Sequence, residues 1–340
     1  MPSSVKISVI VPVYNVEKYL PTCLQSLVAQ AFADMEIVAV NDGSTDGSLS
    51  VLQTFAKQYP FLQVISQENQ GVAAARQAGI KQARGQAVCF VDSDDVLTPG
   101  YLEELWRVYE NTGAKMVVGP LVRFPGKSPD SLTSLFERGC LCGADRISLF
   151  DDFSAAMALC GKLIHRSCLP DLKFPTARTG DDILPSVTLI ANCDPIALAP
   201  KAVYFYRERT NSQSRAGDGR FEGILAGFVQ ARRHLKEQGV YADFAPGFEY
   251  ICRVCLTSFI EKYGLNAREE KALADVAKET WVPLSVFAQR NRRFRWRQRL
   301  FNACLKYGFS YSRLWRFIHL FYGKGARGLK WFLSHCRSPL

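Results

Sequence analysis

Three observations in the sequence predict an α/β fold built on a mainly parallel sheet. Apolar runs rich in Val and Ile recur through the first part of the chain: ISVIVPV at 7–13, EIVAV at 36–40, LQVIS at 62–66 and AVCFV at 87–91. Stretches whose apolar residues fall at helical spacing separate these runs. Polar turn formers cluster where the strands should end. Alternation of strand and helix implies right-handed crossovers, and ligands of such sheets bind beyond the carboxyl ends of the strands.

ISVIVPV reads as a central strand, with Pro12, which has no N–H to give a ladder, at its end. Tyr14 and Asn15 follow. Over 17–30, Tyr19, Leu20, Cys23, Leu24, Leu27 and Val28 recur as in an amphipathic helix. EIVAV is the second strand, and NDGSTDGS at 41–48 is a turn that opens a helix over about 48–58. LQVIS is the third strand, a helix runs from about 71 to 83, and AVCFV is a buried strand. A helix over roughly 99–111 and a strand at 115–118 come next. Residues 120–150 show no periodicity, contain PGKSP and read as a connecting loop region.

Order resumes with a short helix at 153–159 and a short strand at 162–164. In TGDDILPSVTLIANC (179–193), Pro185 is tolerated only in the first turn of a helix. That sets the helix start near Asp181 or Asp182 and puts both carboxylates at the positive end of its dipole. IALAPKAVYFY (196–206) reads as a strand or hairpin ending in Arg207, and helices follow at about 221–237, 247–263 and 267–278.

The 340 residues, 48% hydrophobic and 22% charged, suit a globular chain with room for an extension. The N-terminus reads directly into a strand with no signal pattern. No apolar run approaches the ~18 residues of a membrane span. The 11 cysteines are scattered without a completed zinc pattern, and read as reduced thiols of a cytosolic protein. Charge is distributed unevenly. From Thr280 to Leu340 there are 13 Lys/Arg and no acid, so the rest of the chain holds 29 Lys/Arg against 32 Asp/Glu.

FVDSDD (90–95) ends a buried strand in Asp92, Asp94 and Asp95. Ionised carboxylates this close repel and are poorly solvated. A cation among them relieves both problems, and hard oxygen donors point to Mg2+ or Mn2+, which keep positions open for substrate phosphate. The bland alternative is a polar turn capping the next helix. An EF-hand is excluded, because Val96 and Leu97 stand where that loop needs an oxygen ligand and a glycine. Tyr14-Asn15, Asn41-Asp42 and Asp92–Asp95 lie at successive strand ends and should converge in space.

Taken together, ISVIVPVYN, EIVAVNDGSTDGS, NQGVAAARQAGIKQARG, FVDSDD, TGDDI and VYFYRER resemble the bacterial family 2 glycosyltransferases, from about Lys6 to Arg215. The resemblance implies a GT-A fold, Rossmann-like with a mixed, mainly parallel sheet, and inverting transfer from a nucleotide sugar, with UDP the default base. Matched by motif, it implies that Pro12, Tyr14 and Asn15 hold the nucleotide base. Asp42 would accept from base or ribose, and Arg76 would lie by the nucleotide, with Gln77 where the family usually has Asn. Asp92, Asp94 and Asp95 form the metal motif, with Asp94 and Asp95 as ligands and Asp92 in support. Asp182 is the catalytic base beside Asp181, which replaces the usual Glu.

Each residue also has a plainer reading. Asp181 and Asp182 could cap their helix, Tyr14 could fill the core, and Asp42 could form a turn, the role given to Asp46. His165 reads as structural. Lys162 is weighed equally between a structural place and the acceptor side. The expected organisation is a catalytic domain over 1–215, a helical extension over 216–289 and a basic tail over 290–340. In that tail RNRRFRWRQR interleaves arginines with Phe294 and Trp296, as in a helix lying on an anionic membrane. Nucleic acid is the rival partner and is not expected. A peripheral place on the cytoplasmic face of the inner membrane follows, with a glycan or lipid-linked acceptor. The alternative function is a sugar-nucleotide binding protein without catalysis. A nucleotidyltransferase would need a Gly-rich loop that VPVYNVEK does not offer.

Overall fold

The computed structural model describes residues 5–124, 135–175, 179–208 and 220–263, with a few positions between 266 and 273. The chain divides into two compact units, one running to Phe248 and one from Glu249. Every site residue expected from the sequence lies in the first.

That unit is organised by strands β1 (Ile7–Val13), β2 (Met35–Asp42), β3 (Leu62–Gln67), β4 (Ala87–Phe90), β5 (Val96–Leu97), β6 (Met116–Val118), β7 (Leu121–Phe124), β8 (Cys140–Leu141), β9 (Lys162–His165), β10 (Ile196–Leu198) and β11 (Tyr204–Arg207). The main sheet has the order β3-β2-β1-β4-β9-β6-β10-β8, and a small sheet has the order β5-β11-β7. Around them lie α1 (Leu20–Val28), α2 (Ser48–Gln58), α3 (Val72–Gln82), α4 (Tyr101–Thr112), α5 (Phe153–Met157), α6 (Ile183–Asn192) and α7 (Arg220–Glu237). A last described helix, α8 (Tyr241–Tyr263), crosses the boundary between the units.

Strand side chains alternate between faces. Ile37 and Ala39 join one core with Leu20, Leu24 and Leu27 of α1 and Leu102 and Leu105 of α4. Val38 and Val40 face the other way, onto Ala75 of α3. Burying each α1 leucine contributes about 1.5–3 kcal/mol. α3 sits close to the sheet because Gly79 lets it. A Cβ there would lie 2.4 Å from Ile10 Cγ2.

Two features place the crevice. The β1–β4 ladder ends with the bond from Val91 N–H to the Ile10 carbonyl, 3.0 Å. Pro12 faces the same side two residues later and has no N–H for the next rung. The chain therefore leaves the sheet at Asp92. Next, β9 enters antiparallel between β4 and β6, with Lys162 opposite Val118 and Leu163 opposite Cys89. This reversal brings the start of β9, and the segment just before it, to the end of the sheet where β4 releases the acids.

The structure corrects two expectations. The described part of 120–150 is not simply a connection. It holds β7, β8 and a 3-10 helix over Gly143–Asp151. The 196–206 stretch is not one strand or hairpin, since β10 belongs to the main sheet and β11 to the small one. The first unit includes α7. The basic tail at 290–340 and most of the helix expected at 267–278 lie outside the described residues. No described helix is long and apolar enough to cross a membrane.

Candidate active site

The ends of β1 and β2 are laced together. Asn15 adopts φ +50°, the left-handed region that Asn tolerates. Its Oδ1 accepts from Thr45 N–H at 2.8 Å, and its own N–H donates to Ser44 Oγ at 3.2 Å. Asp46 accepts from Glu17 N–H at 3.0 Å and Ser48 N–H at 2.9 Å, while Glu17 Oε2 accepts from Gly47 N–H at 2.8 Å. Tyr14 is half-buried beside this lacing.

Asp42, almost wholly buried, fastens the entry to α3. Its Oδ1 accepts from Gln67 Nε2 at 2.8 Å and Gln70 N–H at 2.9 Å, and its Oδ2 from Gly71 N–H at 2.8 Å. Three bonds leave one of a carboxylate's roughly four lone-pair sites. These bonds position the helix that carries Arg76.

Arg76 is where distant parts of the chain meet. It is buried, and its guanidinium donates to Asp92 Oδ1 at 3.1 Å, to Asp181 Oδ2 at 2.8 Å and to Asp182 Oδ1. Asp182 Oδ2 also accepts from Leu159 N–H at 3.4 Å. Asp182 stands at the N-cap of α6, yet its side chain makes no capping bond there. Similarly, α4 is preceded by Gly100 with no side-chain cap, so Asp92, Asp94 and Asp95 do not cap it. The plain capping readings therefore do not describe these acids.

Asp95 is fully buried and ties the small sheet to the strand end. Its Oδ2 accepts from Tyr204 Oη and its Oδ1 from Arg207 N–H, both at 2.7 Å. Tyr204 Oη accepts in turn from Asp92 N–H at 3.0 Å. Arg207 donates through Nε to the Asp94 carbonyl at 2.7 Å and lies over the Tyr19 ring, 5.4 Å from its centre. These roles of Tyr204 and Arg207 are not read from VYFYRER. The alternation of β11 places Tyr204 inward, but its partner lies 109 residues earlier.

The cluster holds more negative charge than Arg76 can match. Burial pushes the Asp92 carboxyl up to about 6, against the pull of Arg76, with Asp182 and Asp94 adding to the rise. Asp181 is pushed up to about 7 by burial and then by Asp182, with Arg76 opposing. Burial raises Asp95 well above the usual range, helped by Asp92 and Asp94. For Arg76, burial disfavours the charge but Asp182, Asp92 and Asp181 outweigh it. A carboxylate oxygen of Asp92, one of Asp95 and the thiol of Cys160 lie within 4.8 Å of one another. Two carboxylates at this separation fit a hard divalent cation. The Cys160 thiol, kept protonated by burial and then by Asp92 and Asp95, does not suit Mg2+.

The turn bearing Asp181 and Asp182 rests on α7. Gly180 has φ +71°, and a Cβ on it would lie 2.9 Å from the Gly223 carbonyl oxygen. A Cβ on Gly227 would lie 2.8 Å from the Gly180 carbonyl oxygen. Thr179 Oγ1 donates to the Arg220 carbonyl at 3.1 Å. Backbone thus packs on backbone next to the acids, which side chains at these positions would prevent.

Comparison with known proteins follows the same lines. The family described as Glycosyl transferase family 2 matches residues 8–156. Glycosyltransferase GlyA of Streptococcus pneumoniae is 33% identical over 224 residues, which cover 62% of this chain and 32% of that protein. The chain therefore spans about a third of GlyA's length. The crystal structure of S. aureus TarS 1-349 in complex with UDP-GlcNAc superposes with a TM-score of 0.70 at 23% identity, over 92% of this chain and 91% of that one. Mannosyltransferase PcManGT from Pyrobaculum calidifontis, in complex with GDP-Man and Mn2+, gives 0.53 at 19% identity, over 94% and 88%. At these identities the two structures speak for the fold.

Proposed function

Because the chain belongs to the bacterial family 2 glycosyltransferases and has their GT-A fold, we propose that it moves a sugar from a nucleoside-diphosphate donor to a hydroxyl of a glycan or lipid-linked acceptor, with inversion. The observation that carries this reading is the meeting of Asp92, Asp181 and Asp182 on one buried guanidinium at the carboxyl end of the sheet. A UDP-sugar is the first donor to try, since TarS 1-349 is seen with UDP-GlcNAc.

In this reading Tyr14, Asn15 and the strand end at Pro12 border the nucleotide, and Asp42 fixes the neighbouring loop. Asp92, Asp94 and Asp95 form the cation site, with Asp95 also held by Tyr204 and Arg207. A bound Mn2+ or Mg2+ would offset charge building on the departing diphosphate. Asp182, oriented by Arg76 and Leu159 N–H, takes the proton of the attacking hydroxyl. Arg76 keeps Asp181 and Asp182 from repelling each other out of place. A single displacement with one base inverts the anomeric centre. We further assign the basic tail to an anionic membrane surface on the cytoplasmic side. Deleting residues after 290 should then move the protein to the soluble fraction, and unchanged fractionation would reject that assignment.

The test is release of nucleoside diphosphate from a panel of UDP-, GDP- and dTDP-sugars with Mn2+, using the wild-type chain and Asp182→Asn. A fall in turnover of roughly 10²–10⁴-fold in Asp182→Asn is the expected result. Turnover that the substitution leaves undiminished removes Asp182 as the base. Donor binding without release by the wild type would favour the non-catalytic binding protein.

A further inference from the structure

Lys162 is fully buried at the start of β9. An ammonium this deep is costly unless something nearby needs it. Its Nζ donates to the carbonyl oxygen of Ala158. The N–H of the same peptide group, carried by Leu159, donates to Asp182 Oδ2 at 3.4 Å. One amide thus has a buried cation at its oxygen and the candidate base at its nitrogen. A peptide polarised at its oxygen is a stronger donor at its nitrogen. The antiparallel entry of β9 makes this possible, since a parallel strand would place its first residue at the far end of the sheet.

We propose that Lys162 is a positioning residue for sugar transfer, holding the Asp182 carboxylate through the Ala158–Leu159 peptide in the orientation that receives the acceptor's proton. This rests on Asp182 being the base. Burial lowers the Lys162 pKa to about 8, with Asp182 and Asp152 opposing the fall. The plainer role is to satisfy a carbonyl at the end of α5, where Ala158 is the C-cap. The two roles differ in what they do to kinetics.

The experiment measures kcat and donor KM for nucleotide release, with water as acceptor, on whichever sugar nucleotide of the panel the wild type turns over fastest. The variants are Lys162→Met, Lys162→Gln, Asp182→Asn and the double variant Lys162→Met/Asp182→Asn, each with a thermal melt. Both lysine variants should lower kcat roughly ten- to a hundredfold and leave donor KM within about twofold. Removing Lys162 should add no further loss once Asp182 is gone. If Lys162→Met does not fold, Lys162→Gln carries the same comparison. Retained kcat in a folded lysine variant overturns the proposal, as does a fold-loss in the double variant equal to the product of the two single losses. Activity that falls only in step with the melting temperature assigns Lys162 to the α5 end. Turnover undiminished in Asp182→Asn removes the base and this proposal together, and is distinguishable from retained turnover in the lysine variants alone. A wild type that turns over no member of the panel overturns the transfer reading and this proposal with it.

Discussion

The acids at the end of β2 and those beyond β4 are alike in chemistry and opposite in circumstance. Asp42 is held mostly by backbone N–H groups, and so is Asp46, to which the Ser48 side chain also bonds. Burial works against the Asp46 charge, but the bonds from Ser48 and Glu17 outweigh it and hold its carboxyl below the ordinary range. Asp92, Asp181 and Asp182 share one guanidinium, and the first two are raised. Backbone donors are fixed by the fold, so an acid bound mainly to them is scaffold. An acid paired with a side chain can exchange that partner for a substrate or a cation. Within one sheet end, then, the identity of the donor separates acids that hold loops from acids available to chemistry.

Substitutions at the two ends sharpen or break this contrast. The largest effect is expected from Asp182→Asn, with nucleotide release falling roughly 10²–10⁴-fold at unchanged donor KM. Arg76→Met should come next. It strands three carboxylates and should cost about 3–5 kcal/mol in denaturant unfolding, partly recovered by Mn2+. Tyr204→Phe leaves Asp92 N–H and Asp95 Oδ2 short of a partner and should cost about 1–3 kcal/mol by the same measurement. Asp46→Ala should cost about 1 kcal/mol and leave turnover intact. A large loss of turnover there would break the comparison.

A last test concerns pH dependence. Asp181 titrates near 7 when folded and near 4 when unfolded. It therefore binds its proton more tightly in the folded chain, and its contribution to stability falls as pH rises from about 4 to about 7. Thermal melts across that window should show a shallower fall for Asp181→Asn than for the wild type.

Much of the scaffold is legible in the amino-acid order, because periodicity reports burial directly. ISVIVPV and EIVAV could be nothing but interior strands, and Pro185 locates the start of α6 within a residue or two. β7 and β8 are illegible because strands of four and two residues carry no period. The division of 196–206 between two sheets depends on partners elsewhere in the chain. At the candidate site, the acids can be named from sequence but their partners cannot. Arg76 reaches acids 105 and 106 residues away, and the link from Lys162 to Asp182 runs through a main-chain amide that any residue would supply. Cys160 gives no signal at all beyond lying in an apolar stretch.

The glycines of α7 carry a practical lesson. A fragment trimmed at residue 215, where the motif resemblance ends, would leave Gly180 facing solvent where it now rests on another main chain. Such a truncated protein could keep its sheet and still lose the firm footing under its paired aspartates. The shortest piece worth expressing therefore runs at least to Phe248, where the first unit ends, and side chains added at Gly223 or Gly227 should disturb the acids from a helix that the family match at 8–156 does not include.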